Sequence, residues 1–229
     1  MRLIVFDVDG TLVDSQAVIV AAMARAFAAH DLPPPQLAAI LATIGLSPPE
    51  AMAELVGPDG PAVSLAKAYK SASWELKRDR DHHEVLFPGM GALVKRLSDQ
   101  SETLLGIATG KSRRGVRTFL DQHEFQGRFV TIQTADDHPS KPNPSMLHQA
   151  MAETGVTADE TTFVGDTSYD MIMAQAIGAR GIGVAWGYHP VDALEGAGAE
   201  MIADTADHLA ELLEDDACMA TNTRVETSR

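Results

Sequence analysis

Leu3-Ile4-Val5-Phe6 runs without polar interruption, and short runs like it recur through the second half of the chain. A continuous apolar run of this length marks a strand buried on both faces, as in a parallel sheet, because a strand with one wet face would alternate. Segments 103–108, 129–132, 161–164, 181–185 and 201–203 read the same way. Helix-period segments at 91–97, 113–122, 144–153, 169–176 and 206–213 separate them. Strands alternating with helices call for a parallel sheet covered on both sides. Ser112 and Ser168 sit where helix N-caps belong, and Gly178 suits a helix stop.

One stretch breaks the rhythm. From 15 to 85 there are helical patterns at 17–29, 49–55 and 62–77, and no good strand. The fold expected is therefore α/β: a doubly wound parallel-sheet (Rossmann-like) core formed by 1–14 and 86–218, with an inserted helical cap domain at 15–85. Residues 219–229 lack apolar periodicity and read as a flexible tail. An insertion after the first strand stands over the carboxyl edge of the sheet, where open α/β sheets bind ligands. It is either a lid or a packing domain.

At 229 residues, 45% hydrophobic and 22% charged, the chain is of ordinary soluble composition. A net charge of −14 argues against a nucleic-acid partner and requires that any anionic substrate be held by local positive groups. No apolar stretch approaches the ~20 residues that span a bilayer, so no membrane partner is expected. With a single cysteine, Cys218, no disulfide can form within the chain, and a cytoplasmic protein is expected.

The first strand runs directly into Asp7-Val8-Asp9-Gly10-Thr11. Two carboxylates that close are costly unless a cation or proton is shared, so the pair suits a metal ion and a phosphoryl group. After the second strand comes Thr109-Gly110-Lys111-Ser112, hydroxyls and free N–H groups opening a helix, a ready phosphate site. It is not a P-loop: three residues, not four, separate Gly106 from Gly110. Lys141 lies in Ser140-Lys141-Pro142-Asn143-Pro144, framed by two stiff residues, though a solvent lysine is the alternative. Gly165-Asp166 ends the fourth strand, and Asp170 is either part of the same site or a helix-dipole partner.

Taken together, Asp-x-Asp, Thr, Lys and Gly-Asp-x-x-x-Asp, each after a different strand, resemble the haloacid dehalogenase superfamily over nearly the whole chain. Asp7-Val8-Asp9-Gly10-Thr11-Leu12 and Gly165-Asp166-Thr167-Ser168-Tyr169-Asp170 are most similar to its phosphoglycolate phosphatase-like branch. The resemblance implies a Mg²⁺-dependent phosphatase acting on a small phosphorylated metabolite. Asp7 would be the nucleophile and Asp9 the general acid, then general base. Thr109, Gly110 and Lys141 would bind substrate, with Lys141 also restraining Asp7. Asp7, the Asp9 carbonyl and Asp166 would hold the metal, with Asp170 in support. Gly110 departs from the pattern, since many relatives carry asparagine there. A sugar phosphomutase shares all four motifs and is the alternative; a non-catalytic phospholigand-binding protein is a third reading. A dehalogenase is disfavoured because that chemistry has no alkoxide for Asp9 to protonate.

Ile44-Gly45-Leu46-Ser47 either faces the site or is an ordinary interhelical turn, and Trp186-Gly187-Tyr188-His189-Pro190 either walls the pocket or packs. His82-His83 reads as a solvated pair. Substrate and oligomeric state are not legible.

Overall fold

The computed structural model describes residues 1–77 and 84–214. His82-His83, Cys218 and 219–229 lie outside them. In chain order the elements are β1 (Arg2–Phe6), β2 (Val13–Asp14), α1 (Gln16–Ala28), α2 (Leu37–Ala42), α3 (Pro48–Val56), α4 (Ala62–Leu76), β3 (Val85–Leu86), α5 (Met90–Ser98) and β4 (Thr103–Thr109). There follow α6 (Arg113–Gln122), β5 (Thr131–Thr134), α7 (Ser145–Thr154), β6 (Thr161–Gly165), α8 (Ser168–Ala176), β7 (Arg180–Val184), α9 (Val191–Gly196) and β8 (Met201–Ala203). A helical stretch at 206–214 comes last.

Six strands form one parallel sheet in the order β5-β4-β1-β6-β7-β8. β1 lies between β4 and β6, with Phe6 level with Ile107 on one side and Val164 on the other. The chain winds outward from β1 through β4 to β5, then returns to β6, so the crevice for a ligand opens beside the end of β1. From Leu3 to Phe6 β1 is apolar because both of its faces are covered. Ile4 and Phe6 join a cluster with Leu93 and Val94 of α5, Phe119 of α6 and Leu209 and Leu213. Leu3 and Val5 point the other way, to Met146 and Leu147 of α7 and Met173 of α8. Each such side chain, fully buried, is worth roughly 1.5–3 kcal/mol.

The helices α1–α4 stand between β2 and β3, which pair antiparallel, Val13 with Leu86 and Asp14 with Val85. The chain therefore leaves and rejoins the sheet at one place. The insert has apolar clusters largely of its own, including Met23, Phe27, Ile40, Met52 and Leu65.

Several local expectations need correction. The third strand lies at Thr131–Thr134, not 129–132: Phe129 serves the core while Val130 is exposed, and Gly106 pairs with Thr131. The cap of α8 is Thr167 rather than Ser168, because its hydroxyl accepts from the Asp170 N–H while the Asp170 carboxylate accepts from Thr167 N, a reciprocal capping box. Two short helices, α2 and α9, and the β2–β3 pair carried too little periodicity to be read. Ser112 does cap α6, accepting from Gly115 N at 3.2 Å.

Candidate active site

The carboxyl ends of β1, β4 and β6 deliver Asp7, Thr109 and Asp166 to one rim. Asp7 continues the alternation of Leu3 and Val5, so it faces the side covered by α7 and α8. Lys141, just before α7, and Asp170, in the first turn of α8, are on that side. The Lys141 ammonium lies 3.0 Å from Asp7 Oδ1 and 2.7 Å from Asp170 Oδ1. All four of Asp7, Lys141, Asp166 and Asp170 are no more than 1% exposed.

One carboxylate oxygen from each of Asp7, Asp166 and Asp170 lies within 4.8 Å of the others. Three buried carboxylates thus share a single ammonium. They are not equivalent. Asp170 is fully engaged: Oδ1 takes Lys141, and Oδ2 accepts from Thr167 N at 3.0 Å and Thr167 Oγ1 at 2.8 Å. Asp166 accepts one bond on each oxygen, from Thr11 Oγ1 at 2.9 Å and from Tyr188 N at 2.9 Å. Asp7 has the ion pair with Lys141 and no well-directed hydrogen bond to either oxygen among the described residues. Burial lifts the Asp7 carboxyl to about 6 in spite of Lys141, and Asp170 and Asp9 push the same way. Asp166 is raised well above the ordinary range, first by burial and then by Asp170 and Asp7. Burial would discharge Lys141, but Asp170 and Asp7 outweigh it and the ammonium stays charged.

An all-oxygen donor set with unsatisfied buried lone pairs and surplus negative charge fits a hard divalent cation. Asp7 and Asp166 have the most lone pairs to offer it, whereas Asp170 already accepts three bonds. The backbone is cleared for close approach as well. Gly10 has φ 83°, and a Cβ there would fall 2.1 Å from Asp166 Oδ2.

The Asp9 side chain stands outside this cluster. The strand ends before it, the chain turns, and Asp9 bridges to Val13, so the two-residue alternation that would align it with Asp7 no longer holds. Its Oδ1 takes a bond from Lys111 Nζ at 2.5 Å. Lys111 also reaches Glu84 at 3.0 Å, and Lys77 reaches Glu84 at 2.7 Å. Burial alone would raise Asp9, but Lys111 and Lys77 together hold it below its ordinary value. Lys77, Glu84 and Lys111 are the residues that sequence reasoning missed. Charged side chains at the ends of an insert look like solvated ones until the fold buries them.

Asp7, Asp9, Thr109, Gly110 and Lys111 line a cavity of about 750 Å³ between the sheet rim and the insert. Ile44, Gly45 and Leu46 form part of its wall. Gly110 permits this approach: a Cβ there would stand 2.6 Å from the Leu46 carbonyl oxygen. Where asparagine was expected, the absent side chain is what lets the loop come close. Ser47 N donates to Ser140 Oγ at 2.8 Å, next to Lys141. The 186–190 loop packs and does not wall the cavity: Trp186 lies against the core and Tyr188 against the insert. It braces the site from behind: Trp186 Nε1 donates to Thr11 O at 3.1 Å, Tyr188 N to Asp166, and Tyr188 OH to Asp14 at the start of the insert, at 3.0 Å.

A parallel α/β sheet with buried carboxylates and one lysine at its rim, under a helical insert, is an arrangement suited to chemistry on a phosphoryl group. The pattern that defines the family "Haloacid dehalogenase-like hydrolase" matches residues 4–184, and the chain belongs to that family. Among curated relatives it is 34% identical to "Probable phosphatase IndB" of Dickeya dadantii, over 89% of each chain. It is 32% identical to a phosphoglycolate phosphatase of Pseudomonas putida, over 84% of this chain and 73% of that one. A hydrolase of Pseudomonas syringae superposes with a TM-score of 0.82 at 27% identity, covering 94% of this chain and 99% of the other. The enzyme class these relatives define is phosphoric monoester hydrolase, on the phosphoglycolate phosphatase-like branch. Among the described residues no helix is long and apolar enough to cross a membrane.

Proposed function

We propose that the protein is a Mg²⁺-dependent phosphatase that hydrolyses a small phosphorylated metabolite through an aspartyl-phosphate on Asp7. The observation that carries this is the state of Asp7: buried, charged, short of hydrogen-bond donors, and surrounded by two further carboxylates against one ammonium. Asp7, the Asp9 carbonyl and Asp166 would hold the ion, which supplies charge neutralisation between carboxylate and phosphate dianion.

Within that frame each side chain has a task. Asp7 attacks phosphorus, held in line by Lys141. Lys141 and Thr109 meet the phosphoryl oxygens at the rim, and the backbone N–H groups from Gly110 onward add donors at the start of α6. As the ester P–O bond breaks, Asp9, whose protonated form the adjoining phosphate dianion favours against the pull of Lys111 and Lys77, gives that proton to the departing oxygen. It then takes a proton from the water that hydrolyses the acyl phosphate. Asp170 touches no substrate; it orients Lys141 and caps α8.

Residues 15–85 serve as a lid in this reading, with 1–14 and 86–218 as the body. Supporting it are the Ser47–Ser140 bond, the Gly110–Leu46 approach and a Lys70–Asp136 ion pair of 3.3 Å, all joining insert to body. Phosphoglycolate is the first substrate to try, because relatives of about 30% identity are named for it. The acidic composition and lone cysteine fit a cytoplasmic enzyme. The test is release of inorganic phosphate from phosphoglycolate and a panel of phosphorylated metabolites, with EDTA and with Mg²⁺ restored. Turnover that survives EDTA, or survives Asp7→Asn, overturns the proposal, and phosphate retained on a hexose phosphate replaces it with a mutase.

A further inference from the structure

The second charged cluster is placed where no motif put it. Lys111 follows the end of β4, Asp9 belongs to the loop after β1, Lys77 closes α4, and Glu84 is the residue before β3. Four segments of the chain are joined here by contacts of 2.5, 3.0 and 2.7 Å. The Lys111 side chain is 7% exposed and that of Glu84 4%. Two ammonium groups meet two carboxylates, so the cluster is balanced without any ligand. Removing one member of such a buried set strands its partner's charge.

We propose that Lys111 is a positioning residue for Asp9. It fixes the Asp9 side chain by a bond to Oδ1, and the Ser15 hydroxyl is a second hydrogen-bond partner of the same carboxylate. Through Glu84 it ties that orientation to the return strand of the insert. This rests on the acid–base role of Asp9 proposed above. In the first displacement the ester P–O bond breaks, its electron pair stays on the leaving oxygen, and the proton from Asp9 joins that oxygen. Among the steps through the first displacement, an aspartate held out of place fails in that transfer alone. A substrate with a poor leaving group suffers, whereas one whose leaving group departs as a stable anion needs no proton.

The experiment compares kcat/KM, which reports steps only through the first displacement, for ethyl phosphate and 4-nitrophenyl phosphate. General acid catalysis is worth ~10²–10⁴-fold and a misplaced group about 10². Lys111→Met is therefore expected to lose about 10²-fold on ethyl phosphate, and under about tenfold on 4-nitrophenyl phosphate. Lys111→Arg, which keeps a donor, should recover most of the loss. Glu84→Gln should show the same substrate dependence with a smaller amplitude. In the double variant with Asp9→Asn, adding Lys111→Met should cost nothing further on ethyl phosphate, because the lysine acts through the aspartate. Equal losses on both esters, or losses that multiply in the double variant, overturn the proposal. If Lys111→Met does not fold, as circular dichroism would show, Glu84→Gln and Lys111→Arg carry the same comparison. Wild-type protein inactive on both esters would instead sink the phosphatase reading, and the two failures are distinct.

Discussion

Two buried charge clusters lie side by side at the end of β1, and they are built on opposite rules. The inner one sets Asp7, Asp166 and Asp170 against Lys141 alone. The outer one sets Asp9 and Glu84 against Lys77 and Lys111. Buried ions must be paired or they cost several kcal/mol each. The outer cluster meets that demand by itself, and the inner cluster does not. What the contrast teaches is that an incomplete cluster is an address for something from outside, whereas a complete one holds protein parts to each other. The loop 7–11 belongs to both.

Substitution separates the two. The largest expected effect is on turnover: Asp7→Asn removes the nucleophile and should lower phosphate release by at least ~10⁴-fold, read as initial rate against wild type. Next, Lys141→Met strips the inner cluster of its only cation. That should destabilise the fold by about 3–5 kcal/mol by urea titration, with activity lost as well.

The third expectation concerns pH in metal-free protein. The folded Asp7 carboxyl sits at about 6, raised from 3.8, so the folded state holds a proton that the unfolded chain gives up. Stability from this group is present at low pH and lost as pH rises through 6. Metal-free wild type should therefore lose thermal stability between pH 5 and 7.5. Asp7→Asn should gain roughly 1–3 kcal/mol over it at pH 7.5. If instead the variant is less stable than wild type there, the inner cluster is not strained. The smallest effect belongs to a neutral contact beside the cluster: Thr167→Ala breaks the α8 capping box and should cost about 1 kcal/mol in urea titration.

How far the sequence carried the account follows from the same contrast. Residues 3–6 and 161–164 were legible because strands buried on both faces leave unbroken apolar runs. Asp7, Thr109 and Asp166 were legible because each follows such a run and the sheet brings strand ends together, and Lys141 because two prolines frame it. The third strand was misplaced because Phe129 is apolar for packing and not for pairing, while the true strand, Thr131–Thr134, is polar at the sheet edge. Asp9 was singled out, and Lys111 lay in a segment read as a phosphate site, but the outer cluster as a network was not legible. Lys77 and Glu84 carry no local pattern, and only the tertiary fold brings the four charges together. Gly110 looked like a lost contact, and its meaning as clearance for Leu46 exists only in three dimensions.

The central claim, that the inner cluster is completed by a divalent cation, is tested most directly by calorimetric titration of Mg²⁺ into the metal-free protein near pH 6, in buffers of different ionisation heat. The account predicts one ion per chain, protons released as it binds because Asp7 and Asp166 are raised, and binding abolished by Asp166→Asn. No binding to the wild type, or an unchanged isotherm in Asp166→Asn, would contradict it.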